Sequence, residues 1–253
     1  MMNIYYIARK ELREYVSSVM GYVFLTMLLF LTGLFFWLLV TSYAEYSSQV
    51  AGSPMAGELP DLTDAVLGGL FENMGVFFLF VNPLMAMRLV AEERRNRTLE
   101  FLLTAPVSSG EIVLGKFFGS VAFFVVYLVL TVQFPVVLAR LGSVDPGPVI
   151  TAYLGALLLG AACIAIGLLA SSFTQHQLVA GILAFTFSLV LWVISLAGSG
   201  PGSEGIWSYL SILEQFQGFT KGYVKLEGAV YYVSLIVFCL FAAVQRIETL
   251  RRQ

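Results

Sequence analysis

The chain of 253 residues carries 58% apolar and 12% charged side chains, where soluble domains run at roughly 45–50% and about 25%. Water is therefore not its main solvent, and a soluble enzyme is excluded. The net charge of −2, from 14 Lys and Arg against 16 Asp and Glu, offers no basic face for nucleic acid.

Residues 1–18 come first: Ile4, Ile7, Ala8, Leu12, Tyr15 and Val16 recur at helical spacing, with Arg9, Lys10 and Arg13 on the opposite face. This predicts an amphipathic helix lying on the membrane surface, either a topological anchor or a regulatory element. Six apolar runs of membrane-crossing length follow, at about 19–40, 70–90, 117–138, 149–170, 178–197 and 229–245, with no acidic residue except Glu72 at the mouth of the second. The first begins near Val19 and is too long for a secretory h-region, so it is read as retained. No gap between the runs is long enough for a separate water-soluble domain, and the chain reads as one transmembrane domain over 1–253. Cys163 and Cys239 fall inside apolar runs and read as small hydrophobes rather than a disulfide.

Charge placement sets the expected orientation. Arg9, Lys10 and Arg13 precede the first span, Arg88, Arg94, Arg95, Arg97 and Lys116 flank the loop after the second, and Arg246, Arg251 and Arg252 close the chain. Arg140, Lys221 and Lys225 are left for the other side, which puts both termini and the 88–116 segment in the cytoplasm. The outer loop 41–69 holds Glu45, Glu58, Asp61 and Asp64 with no basic residue, and is expected to be solvated. The outer segment 198–228 opens on the breaker run Gly198 to Gly202, then places Ile206, Trp207, Leu210, Leu213, Phe216 and Phe219 as an apolar stripe, with Ser211 and Glu214 at capping-box spacing. It reads as a re-entrant helix, as a cap over a pathway, or as plain packing.

Within the spans, Asn82-Pro83 stands out, because Pro removes a helix hydrogen bond and Asn is costly in lipid unless it faces protein or water. Thr186 and Ser188 are milder cases. These residues are candidates for a pathway or dimer interface, or else for helix-to-helix hydrogen bonding and a kink. Gly155, Gly160, Ala161 and Gly167 suit close helix packing. No span carries a central Asp, Glu or Lys, which disfavours an ion-coupled secondary transporter.

The densest chemistry lies between the second and third spans. From Arg88 the chain offers mixed charge (Glu92, Glu93, Arg94, Arg95, Arg97), then Thr98, Glu100 and an apolar block of Leu99, Phe101, Leu102 and Leu103, ended by Pro106. As a helix this would lie across the membrane surface and present polar knobs to a protein below, a reading the apolar block favours; a charge run that is only a solvated face is the alternative. Gly110 to Lys116 has the spacing of a phosphate-binding loop, but Phe117 stands where Ser or Thr would hold Mg2+ and no strand precedes it. Asn96-Arg97-Thr98 is a glycosylation sequon by pattern only, and the lone His176 has no metal-ligating neighbour.

The run from Glu92 to Lys116 resembles the cytoplasmic loop of ABC-2 type transporter permeases, in which an acidic-basic stretch, a Thr, an apolar block, a Pro and a distal Gly-Lys pair occur in this order. Leu213 to Gly222, leading through Val230, Tyr231 and Tyr232 into the last span, is similar to the C-terminal signature of the gliding-motility-type subgroup. One departure is Arg97, where many relatives have Gly before the Thr.

The resemblance implies an all-α polytopic protein of the bacterial inner membrane: six transmembrane helices, an N-terminal amphipathic helix and a coupling helix at 91–106. That helix would dock in a separate ABC ATP-binding subunit through Glu92, Glu93, Arg94, Thr98, Glu100 and Leu102, with a second permease subunit, identical or different, completing a dimer. This chain would hold no catalytic residue, metal or cofactor, and ATP and Mg2+ would sit on the partner subunit. The expected function is export of an unidentified substrate, with the apolar spans leaning toward a lipidic one. The alternative is a mechanotransmission subunit that relays ATPase motion to an extracytoplasmic partner.

Overall fold

The computed structural model describes residues 2–51, 61–96, 107–197, 211–223 and 226–252. Among these every regular element is helical, and 6 helical stretches are long and apolar enough to cross a membrane, so the chain is an all-α polytopic membrane protein. The elements are α1 (Met2–Ser17), α2 (Val19–Ala51), a π-helical turn (Thr63–Gly68) running into α3 (Gly69–Ala86), α4 (Arg88–Arg95), α5 (Ser109–Thr131), α6 (Gln133–Leu141), α7 (Pro146–Phe173), α8 (Gln177–Ala197), α9 (Ile212–Thr220) and α10 (Leu226–Arg251). The apolar runs of the sequence fall in α2, α3–α4, α5–α6, α7, α8 and α10.

Helices outrun the apolar runs that nucleate them. Residues 41–51, expected in a loop, belong to α2, where Thr41 Oγ1 donates to the Trp37 and Leu38 carbonyls (3.0 and 2.9 Å) and Ser48 Oγ to that of Glu45 (2.7 Å). Polar side chains that bond back to their own turn do not break a helix already nucleated below them. Similarly, residues 109–116 are helical: Ser108 accepts from the Glu111 amide (3.2 Å) while the Glu111 carboxylate accepts from the Ser108 amide (3.0 Å), a capping box that starts α5 eight residues before its apolar run.

α7 is the central element, packed against α3, α5, α8, α9 and α10. Its small residues are the reason. A Cβ at Gly155 would lie 2.6 Å from the Phe219 side chain, one at Gly160 would overlap the Phe124 ring, and one at Gly167 would overlap Ala86. Two neighbouring spans are broken mid-course. Pro83 lacks the amide that would bond within α3, and the helix re-forms after Met87 as α4. Near Val132, Thr131 Oγ1 turns back to the Leu128 carbonyl (2.7 Å) and α6 begins with Pro135 in its first turn.

The N-terminal region and the C-terminus meet at one end of the bundle: Asn3 donates to Glu111 (3.3 Å), Arg251 to the Val107 carbonyl (3.1 Å), and Ser109 Oγ to Glu248 (2.7 Å). α9 closes the opposite end. Ser211 caps it by accepting from the Glu214 amide (3.3 Å), and Gly222, at φ 82, ends it in a left-handed turn where the Gly222 and Tyr223 amides reach the Phe219 and Gly218 carbonyls. Large apolar side chains remain exposed along α2 (Phe30, Trp37), α8 (Leu178, Ile182) and α10 (Phe238, Phe241), which is what a lipid-facing surface requires.

Candidate functional site

α1 does more than lie on a surface: its apolar face docks lengthwise on the first half of α5. The seat is made by Gly115 and Gly119, one turn apart. A Cβ on the first would come within 2.6 Å of Ile7, and one on the second within 2.6 Å of the Glu11 side chain and 2.8 Å of the Ala8 carbonyl. Such close approach is what paired small residues permit. Between those glycines stands Lys116, only 2% exposed.

Its ammonium meets two carboxylates from two other helices. It donates to Glu11 of α1 and lies 2.8 Å from Glu93 of α4. Lys10 approaches Glu93 from the more exposed side at 3.9 Å. Burial pushes the Glu11 carboxyl above the ordinary carboxylate range, and the Lys116 charge pulls against that shift. A cavity of about 330 Å³ opens beside this triad, lined on its outer wall by Glu14, Arg88, Glu92 and Asn96. Tyr15 closes its inner side, stacked on Phe123 with ring centroids 5.0 Å apart and donating to the Met85 carbonyl (3.2 Å).

The other side of α4 is pinned to α7. Ser171 Oγ accepts from the Val90 and Ala91 amides (2.9 Å each) and donates to the Met87 carbonyl (3.0 Å), satisfying the backbone groups released at the break between α3 and α4. Arg94 donates to the Ser172 carbonyl (3.2 Å) at the end of α7, where a cation complements the helix dipole. Arg246 lies over the Phe173 ring at 5.7 Å in the same corner.

The expected docking residues thus divide. Glu92 is half-exposed, its side chain at 44%, and pairs with Arg88 on its own helix (3.6 Å). Glu93 and Arg94 are turned inward, toward Lys116 and α7 respectively, while Arg95 is exposed. Thr98, Glu100 and Leu102 lie outside the described residues, as does Trp207. Asn82 is fully buried inside the protomer, and neither atom of its amide has a hydrogen-bond partner. Pro83 beside it is also buried. On α8, Thr186 is exposed on the outer face and Ser188 is buried with its hydroxyl unpartnered. Phe216 and Phe219 are buried against Gly75 and Gly155, so both rings are occupied in packing.

Sequence reasoning missed Glu11 and Lys116. It counted Lys116 as a loop charge, although the residue lies inside α5. Two signals were present: a carboxylate set amid the stripe Ile4, Ile7, Ala8, Leu12 and Tyr15, and a lysine flanked by glycines at i−1 and i+3. An acid on an apolar face demands a buried partner, and small residues mark where a helix approaches.

Residues 5–216 match the family model described as ABC-2 family transporter protein. No curated protein matches the chain.

Proposed function

The chain belongs to the ABC-2 family of transporter proteins, a multi-pass membrane permease subunit of an ABC transporter, and from that premise we propose how it takes energy from its ABC ATP-binding partner. The end of the bundle that carries α1, α4 and the C-terminus faces the cytoplasm of a bacterial inner membrane, and the segment from α4 through residue 106 docks on the ATP-binding subunit. The observation that carries this reading is α4 itself. It prolongs the second span past a proline break, ends in the exposed charge of Arg95 and the exposed amide of Asn96, and is braced from two sides by Lys116 and Ser171. A short rigid helix so placed converts motion of a partner into motion of a span.

ATP and Mg2+ belong to the partner, and the chain acts with a second permease subunit as an exporter of the gliding-motility type. The broadly apolar faces of α2, α8 and α10 suit a lipidic or amphipathic cargo. Asn82 has a place in this cycle. Its unpaired amide disfavours the present conformation, and a turn of span two about Pro83 that brings it to water or polar partners relieves the cost. The mechanotransmission alternative has one observation in its favour: α2, at 33 residues, is about 50 Å long, against a hydrocarbon core of about 30 Å.

The test is co-purification of the ATP-binding subunit with the chain in lipid, followed by ATP hydrolysis, for the wild type and for the double variant Glu92→Lys with Arg95→Glu. Loss of association with unchanged folding supports docking at α4. Unchanged association and hydrolysis refute it.

A further inference from the structure

We propose that Lys116 is a positioning residue of the transport cycle: it locks α1, α4 and the start of α5 into one body, so that a push on α4 reaches the third span and the N-terminal helix together. The inference rests on the docking of α4 proposed above.

Without such a lock, α4 is a poor lever. The ladder of span two is interrupted at Pro83, and α4 starts afresh after Met87, so force entering α4 would be dissipated as swivelling at the break. The structure supplies two ties across it. Ser171 holds the first turn of α4 to α7. Lys116 holds its last turn, through Glu93, to α5 and onward through Glu11 to α1.

The Lys116 tie differs in kind from the other ion pairs nearby. Lys10–Glu14 (3.4 Å) joins two exposed side chains of one helix, and a pair of that kind holds little against solvent; Arg88–Glu92 (3.6 Å) also stays within one helix, so neither pair ties α4 to another element. Lys116 is out of water and has a carboxylate from each of two other helices against its ammonium. Separating them leaves charge in a low-dielectric site, so the contact resists being pulled open. The Gly115 and Gly119 seat removes the remaining slack, because at those two points α5 contributes no side chain and Ile7, Ala8 and the Glu11 stem of α1 pack directly on its backbone. Three helices distant in sequence therefore share one cation, placed at the end of the bundle where α4 emerges.

The experiment places spin labels at Arg13→Cys on α1 and Asn96→Cys at the end of α4. Both sites are exposed, and the native Cys163 and Cys239 are buried. Distances are measured in lipid, in the complex with the ATP-binding subunit, with and without ATP and vanadate. The wild type and Lys116→Arg are expected to give one narrow distance that does not respond to nucleotide. Lys116→Met, with Glu93→Gln as the gentler variant should the first fail to fold, is expected to broaden that distribution and make it nucleotide-dependent while the ATP-binding subunit stays bound. A wild-type distance that changes with nucleotide overturns the proposal, as does a variant distribution identical to wild type. If no ATP-binding subunit associates with the wild type, docking fails, and the nucleotide-free widths of wild type, Lys116→Arg and the variants still decide whether Lys116 is the lock.

Discussion

Replacing Asn82 by leucine probes whether span two is held in a conformation that it pays to leave. The amide is completely buried, both of its polar atoms lack partners, and the next residue is the helix-breaking Pro83. An unsatisfied buried polar group costs about 1–3 kcal/mol. Leucine, of similar length and without polar atoms, removes that cost here but gains nothing in any conformation where position 82 meets water or a polar neighbour. The equilibrium should then move toward the present conformation by about 5- to 150-fold. The purified Asn82→Leu subunit should melt at a higher temperature than wild type, associate normally with the ATP-binding subunit, and slow the ATP-driven cycle of the complex within that range. An unchanged or lower melting temperature, with assembly and turnover falling in parallel, would show that Asn82 is a packing residue and refute the reasoning.

Other outcomes follow from the same contacts. Lys116→Met leaves Glu11 and Glu93 buried without their shared cation and should destabilise the subunit by about 3–5 kcal/mol, whereas Glu11→Gln alone should cost less, both read as shifts in thermal unfolding in detergent. Gly119→Val should push α1 off α5, since a Cβ there already falls 2.8 Å from the Ala8 carbonyl; faster proteolysis within α1 would report it. Ser171→Ala strips the Val90 and Ala91 amides of their acceptor and should destabilise by about 1–3 kcal/mol, with hydrogen exchange rising first at those two amides.

The fold was legible in the sequence to the extent that solvent dictated it. Apolar runs of bilayer length admit helices and little else, and the glycines of α7 announced close helix packing, which the structure shows against Phe219, Phe124 and Ala86. Helix ends were less legible. Thr41 and Ser48 read as loop residues, and only the structure reveals their hydroxyls turned back onto their own carbonyls. The motif around Gly110–Lys116 drew attention for a spacing that proved incidental, while the Ser108–Glu111 capping pair beside it went unread.

The site was legible in composition but not in partnership. The charge of the 88–96 segment stood out, yet which charges face inward depends on a lysine and a glutamate from two other helices. Glu93 looked like its neighbour Glu92; a rotation of about 100° around the helix gives one to Lys116 and leaves the other half-exposed.

The bond between Glu11 and Lys116 joins residues 105 positions apart, which constrains how the subunit is made. Glu11 leaves the ribosome ahead of the six spans described above, and its counter-ion emerges only as the third of them begins. Until then an acidic group on an otherwise greasy helix has no reason to leave water. The N-terminal helix therefore waits at the membrane surface and seats late in biogenesis, once its lysine has arrived.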